Sequence, residues 1–415
     1  FTTKSHFAGN GTESDPYEIA NIEDLSVLSN YDVYWDEHFK QTADVNINAT
    51  DIQTWNAGKG FLPIGNSSTQ FTGIYDGQNK TIDGLYINRP QGNNIGFTHA
   101  DITGKSHTSV LIGTVSDSGQ TRVENCSSNG SVLGKNFVGG LIGSIGRLVG
   151  SNSGVVEIAR CYNTGNVHAN ASAQPLAFAG GLVGFSYIAN NTVSDSYNQG
   201  AVTGNGDFIG GLMGFHGQGQ VENCQSSGNV GDGNAGKYIG GLIGANGLPS
   251  GQSGSENQEP VTNCSSTGNV TGSSHVGGLI GSNFAHLDDG PISSCTSTGE
   301  VYASGDYCGG LIGYNYLGYI SDSQHTIGTV SGANNVGGLI GNILNGEASN
   351  SYSSGSVNGS GDNVGGFIGA ADGNDISIVN NYSNSSATGG SNVGGFFGAI
   401  GNDESRAVNV KASHC

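Results

Sequence analysis

Five cysteines recur at one position of a short repeated pattern: Cys126, Cys161, Cys224, Cys264 and Cys295. The pattern reads Asn-Cys-Ser-Ser-x-Gly-x-Val at 125–132 and 263–270, and Arg-Cys-Tyr-Asn-Thr-Gly-Asn-Val at 160–167. Thiols repeated at a fixed position support two chemistries. They can stand as a column of buried, inert thiols. Alternatively, neighbouring rungs of a stack, about 4.8 Å apart, fall inside the Cα separation that a disulfide accepts, so Cys126 with Cys161, and Cys264 with either neighbour, are feasible pairs. Tyr197, Tyr352 and Tyr382 are expected to fill the cysteine position in other copies. Seven cysteines cannot all pair within one chain, and Cys308, in a different block, and Cys415, the final residue, are candidates for bonds between chains.

Other chemistry is sparse. There is no His-Glu-x-x-His, no Gly-x-Ser-x-Gly and no phosphate-binding loop, and the ten His are dispersed without Cys-x-x-Cys spacing. No catalytic residue, metal site or cofactor is expected. Asp362, Asp288-Asp289 and Asp372 to Asp375 lie in turn-like contexts, which explains carboxylates there without a site. Calcium at Asp372, Asn374 and Asp375 is the sharper alternative, although the calcium nonapeptide repeat is missing. Phe185, Phe215, Tyr314 and Tyr316 predict rings packed at strand ends, or a strip on which a glycan stacks.

What positions these residues is a second repeat. Gly-Gly, two apolar residues and Gly recur nine times, beginning at Gly139-Gly140 with Gly143. The further pairs are Gly180-Gly181, Gly210-Gly211, Gly240-Gly241, Gly277-Gly278, Gly309-Gly310, Gly337-Gly338, Gly365-Gly366 and Gly394-Gly395. The basal step is 28 to 30 residues, and longer steps mark insertions at 146–155, 170–176 and 248–260. A unit this small buries its apolar face only against copies of itself. The glycines are expected to supply positive φ at corners and to let facing backbones approach closely. The predicted fold is all-β: a two-layered parallel β-solenoid of stacked β-arches over 91–415.

Residues 1–90 read as an N-terminal cap. Ile22, Leu25 and Leu28, with Asn21 as N-cap and Asp24 three residues on, predict one short helix. Strand-like pieces follow at 43–47, 61–64, 71–75 and 81–87. Gly 74, Pro 7 and only 11% charged residues exclude salt-bridged helices. A net charge of −20 excludes nucleic acid and anionic membrane as partners, and no apolar run spans a membrane. The chain starts at Phe1 and holds a single Met, Met213, which predicts a processed start and export.

Val138-Gly139-Gly140-Leu141-Ile142-Gly143 and Asn263-Cys264-Ser265-Ser266-Thr267-Gly268-Asn269-Val270 resemble the GLUG repeat of large microbial surface proteins. Gly9-Asn10-Gly11-Thr12, Asp15-Pro16-Tyr17-Glu18-Ile19, Pro63-Ile64-Gly65 and 71–77 are similar to what precedes such repeats. GLUG repeats occur in adhesins, in non-catalytic parts of IgA-cleaving metalloproteases and in surface and sheath proteins of methanogenic archaea. The resemblance implies a non-enzymatic, extracellular structural protein that assembles with copies of itself through sheet edges into a sheath or layer. An adhesin segment that binds glycan or host protein is the alternative.

Overall fold

In a computed structural model the chain forms a parallel β-solenoid. The structure describes residues 6–413 apart from 48, 53, 63, 65–68, 70, 79, 81, 84–86, 89–101, 104–105, 116–119, 147–153, 171–176, 188–189, 234, 248–259, 286–289 and 402–409. Almost all of the three insertions, and Asp288-Asp289, therefore lie outside the described residues.

Among the described residues every strand pair is parallel, and within the repeats each joins a residue to its counterpart one repeat later. The Gly-Gly blocks form one ladder: Ser109, Gly139, Gly180, Gly210, Gly240, Gly277, Gly309, Gly337, Gly365 and Gly394 pair in that order. The apolar residues behind them form a second ladder, from Ile112 and Ile142 through Met213 to Ile368 and Phe397. In-register parallel pairing follows from the sequence, because a one-residue slip would turn each Ile or Val out of the core. Val138, Ile142, Ile158 and Val167 are 0% exposed, and their counterparts on the interior rungs are buried with them in one continuous apolar core.

A third ladder reaches beyond the repeats. Tyr17, Phe39, Tyr75, Val123, Ile158, Val193, Val221, Val261, Ile292, Ile320, Ala348, Ile378 and Ala412 pair consecutively. Its twelve steps correspond to a rise of about 58 Å at ~4.8 Å each. The first ninety residues thus contribute rungs to the same sheet as the repeats.

The expected helix runs over Ile22–Asn30, with the Asn21 side chain accepting from the Asp24 N–H at 3.0 Å and Leu25 and Leu28 fully buried. Two further helical turns, Ala49–Ile52 and Trp55–Gly58, were not foreseen. Of the expected strand pieces, Val45–Asn46, Ile74–Asp76, Ile82–Asp83 and Ile87–Asn88 are strands. Phe61 and Ile64 instead fill the core from irregular backbone.

Candidate functional site

The repeat glycines have a specific steric duty. A Cβ on Gly140, Gly211, Gly241, Gly278 or Gly338 would lie 2.0 Å from the carbonyl oxygen of the equivalent glycine one rung on. On Gly181, Gly310 and Gly366 it would lie 2.1 to 2.2 Å away. On the first glycine of each block, Gly139, Gly180, Gly210, Gly240, Gly277, Gly309, Gly337, Gly365 and Gly394, it would meet a carbonyl three residues downstream at 1.9 to 2.0 Å. Gly143 faces the Gly113 carbonyl at 2.6 Å. These positions are closed to any side chain by backbone, which is the close approach read from the sequence.

The other expected role is corrected. None of these glycines takes positive φ; the left-handed corners belong to other residues. One corner column is Asn125, Arg160, Asp195, Asn223, Asn263, Ser294, Asp322, Asn350 and Asn380, at φ 48 to 57. The second lies two residues before eight of the nine Gly-Gly pairs, at Phe137, Phe208, Tyr238, His275, Tyr307, Asn335, Asn363 and Asn392, at φ 52 to 63; Phe178, two before Gly180, does not take positive φ. Asn tolerates this region, whereas bulky residues there are strained and need compensation. Stacking supplies it: His107, Phe137, Phe178, Phe208, Tyr238, His275 and Tyr307 form a continuous pile of rings 4.7 to 5.2 Å apart. Beyond Tyr307 amides replace rings, with Asn363 donating to Asn335 and Asn392 to Asn363 at 2.9 Å. Sequence reading missed this column, although the aromatic-or-Asn choice two residues before every Gly-Gly pair was its signal.

Phe185 and Phe215, singled out from sequence, are 1% exposed and stack at 5.1 Å beneath Phe178 and Phe208. Tyr314 and Tyr316 are half-buried. Rings inside the pile cover one another's faces, so the flat side of a sugar meets edges there, not open faces.

Cys126, Cys161, Cys224, Cys264 and Cys295 stand in one column, buried, with free thiols. Each of the last four donates to the carbonyl of the residue on the rung behind it, as Cys161 does to Val123 at 3.4 Å and Cys295 to Val261 at 3.5 Å. Contact with the Cys161 thiol, and then burial, raises the pKa of Cys126; contact with Cys224 raises that of Cys264. Cys126 and Cys264 therefore remain protonated at neutral pH. The tyrosines do not share this column. Tyr197 pairs with Tyr162, one residue past Cys161, and Tyr382 pairs with Tyr352. Ser196, Ser323 and Ser351 fill the cysteine position, each bonding the carbonyl two residues back. Cys308 is 0% exposed, and burial pushes its thiol up to about 12, so the folded chain offers it no route to a second chain. Cys415 lies outside the described residues.

Polar columns run inside the core as well. Ser128 donates to Asn163 at 2.7 Å and Asn163 to Asn198 at 2.8 Å. Asn246 donates to Asn283 and Asn283 to Asn315, each at 2.8 Å. Asp372 accepts from Asn342 at 2.8 Å, and the backbone N–H groups of Asn374 and Asp375 donate to Asn345. Among the described residues no three His, Cys, Asp or Glu side chains gather as a metal-holding group.

The two ends of the ladder differ. At the N-terminal end, Glu18 of the first rung donates its N–H to the Ala8 carbonyl at 2.9 Å, so residues 7–12 cover that edge. Phe7, 5% exposed, packs its ring on Tyr17, Tyr34 and Phe39 at 5.2 to 5.6 Å, and Trp35 Nε1 donates to Leu28 at 2.7 Å. At the C-terminal end, among the described residues, Tyr382–Thr388, Val393–Gly394, Phe397–Ile400 and Val410–Ser413 each pair on one side only. A Cβ on Gly395 would meet nothing within 4 Å, alone among the second glycines of the nine blocks.

No helix among the described residues is long and apolar enough to cross a membrane. Halomucin of Haloquadratum walsbyi is 33% identical over 154 residues, 33% of this chain and 2% of the relative. A candidate Gly-rich membrane protein of Evansella cellulosilytica is 30% identical over 149 residues, 36% of this chain and 15% of the relative. The chain thus spans a small part of the curated relatives it matches. The crystal structure of a candidate immunoglobulin A1 protease from Bacteroides ovatus aligns over 75% of this chain and 86% of its own, at 21% identity and a TM-score of 0.44, a likeness too slight to carry function. Residues 272–302, one coil from Gly272 through Gly277-Gly278 and Cys295 to Tyr302, match the GLUG motif.

Proposed function

We propose that this chain is a structural protein of the cell surface: an exported, rigid rod that self-associates through a sheet edge and builds part of a sheath or layer. The observation that carries the reading is the uninterrupted parallel ladder from Tyr17 through Phe39, Tyr75 and the repeats to Ala412, a stiff stack of near-identical rungs. Parallel strands of this kind pair through their edges with further strands. The GLUG match, and the names of halomucin and the Gly-rich membrane protein, agree with a surface setting. The low charge density and the polar side chains bonded to each other along the columns suit a scaffold more than a catalyst. Electron microscopy of the native cell surface, with an antibody against the chain, tests the proposal. An ordered, labelled coat is expected; label confined to the cell interior would overturn it.

A further inference from the structure

We propose that two copies of this chain pack side by side through one sheet face, with Ile327 of each copy seated on the other. The face is the outward side of nine rungs: residues 127–134, 162–169, 197–204, 225–231, 265–272, 296–303, 324–332, 352–359 and 382–388. The inference rests on the surface-structural reading above and adds how neighbouring rods are joined. Three observations carry it.

First, the face is almost free of charge. Over these nine rungs Glu300 is the only Asp, Glu, Lys or Arg, in a chain of net charge −20. Elsewhere the acidic surface repels a second copy, and here it does not. Second, the composition is that of an interface. The first outward residues form one ladder from Ser127 through Tyr162 and Tyr197 to Tyr352 and Tyr382. Leu133 and Tyr302 stand on the same face, 41% and 51% exposed, and Ser, Thr, Asn and Gln supply most of the rest. Aromatic enrichment with depletion of charge marks the core of a protein–protein contact. At ~4.8 Å per rung the face is about 38 Å long, and four outward residues at ~6.7 Å make it about 20 Å wide. The resulting area, about 800 Å² per copy, matches what a stable pair buries on each side.

Third, one residue is lifted out of this face. The register counts four residues from Ser297 to Val301, five from His325 to Val330, and four again from Ser353 to Val357. The extra residue is Ile327, 84% exposed at φ 79, in a tight turn that Gly328 closes by donating its N–H to the Thr326 carbonyl at 3.0 Å. A β-branched side chain in the left-handed region is strained, and a bulge re-aims what it carries. Ile327 stands near the middle of its rung, so parallel rods related by a two-fold axis would set it against its own copy. Antiparallel rods place it opposite the rungs of Ala201 and Gly231, the smallest outward residues of the face. The same arrangement lays the stacked pair Tyr162–Tyr197 of one copy against Tyr352–Tyr382 of the other. Such a contact is isologous and closes at two.

The test is light scattering and analytical ultracentrifugation of the full chain across a wide concentration range, with the variants Ile327→Asp and Tyr319→Asp beside it. The smallest assembled species is expected at twice the chain mass. Aspartate tolerates the left-handed region, so Ile327→Asp should keep the circular dichroism and melting of the parent while weakening pairing by roughly 30-fold, as loss of a central anchor does. Tyr319, 37% exposed, lies on a different sheet, and Tyr319→Asp should pair like the parent. A chain that is monomeric throughout overturns the face-to-face pair. So does an Ile327→Asp variant that pairs like the parent, or a Tyr319→Asp variant that weakens as much. The outcome separates from the surface reading: an ordered coat on cells from a chain that is monomeric in solution sinks the pairing alone, and an absent coat sinks the function.

Discussion

Placing the same methyl group at the same motif position of two rungs isolates what the repeat glycines do. In Gly338→Ala the new Cβ lies 2.0 Å from the Gly366 oxygen, about 1 Å inside the closest approach such atoms tolerate. Relief requires the two rungs to part locally by about that distance. The bonds that would stretch are Gly338 N–H to Gly365 at 3.1 Å, Leu339 N–H to Phe367 at 2.9 Å and Ile340 N–H to Phe367 at 3.0 Å. Three buried ladder bonds weakened at about 1 kcal/mol each put the cost near 3 kcal/mol, and more where a group is left unsatisfied. In Gly395→Ala nothing stands within 4 Å and no positive φ is imposed, so the expected change is within about 0.5 kcal/mol. Because a solenoid loses structure rung by rung, hydrogen exchange of residues 336–341 and 364–369 reads the effect more directly than one melting temperature. Protection there should fall by roughly 100-fold in Gly338→Ala and stay at the parent level in Gly395→Ala. Equal protection in all three proteins would refute the claim that the block is glycine because the next backbone fills its space.

Burial lowers His325, His107 and His275 to about 4 from an ordinary value near 6.5, with the Lys237 charge adding to the effect at His275. The unfolded chain therefore binds more protons between those values, and stability is full above about pH 6.5 and lost as pH falls toward 4, by up to roughly 3 kcal/mol for His325. Denaturant melts at pH 7 and pH 4 should show this slope, and His325→Ser, the residue its neighbours Ser297 and Ser353 carry in that column, should flatten it. Cys264→Ser should cost no more than about 1 kcal/mol, since serine already serves that position at Ser196, Ser323 and Ser351. The six described thiols should resist a thiol reagent in the folded protein and react on unfolding; rapid labelling of any of them in the native state would contradict their burial. Phe215→Ala should destabilise by about 3–5 kcal/mol in a denaturant melt, because it opens a cavity in the cluster of Phe178, Phe185 and Phe208.

The ladder was legible because a Gly-Gly block at a 28 to 30 residue step has one stacking solution, and all nine blocks fall into one register. The cysteine column was legible for the same reason, while its tyrosine members were misplaced by one residue: Cys161-Tyr162 and Ser196-Tyr197 align only once Tyr162 is seen against Tyr197. Positive φ was assigned to glycine on general grounds. The chain gives it to Asn125, Phe137 and their counterparts, because a ring or amide stacked on its copy offsets the strain and the glycines are needed where backbones touch. A helix-bearing cap over 1–90 was legible, but not how it meets the first rung: that depends on residues 7–12 folding back, which no local pattern announces.

The parallel ladder has a mechanical consequence. Its main-chain bonds point along the rod, so tension on the two termini loads the terminal rung first instead of sharing the force across the sheet. Each coil that peels away releases about 28 residues, roughly 90–100 Å of slack at ~3.4 Å per residue, while its neighbours stay folded. Such a rod yields in small instalments and shortens again when the pull relaxes, which makes it a spring-like tether as much as a brick.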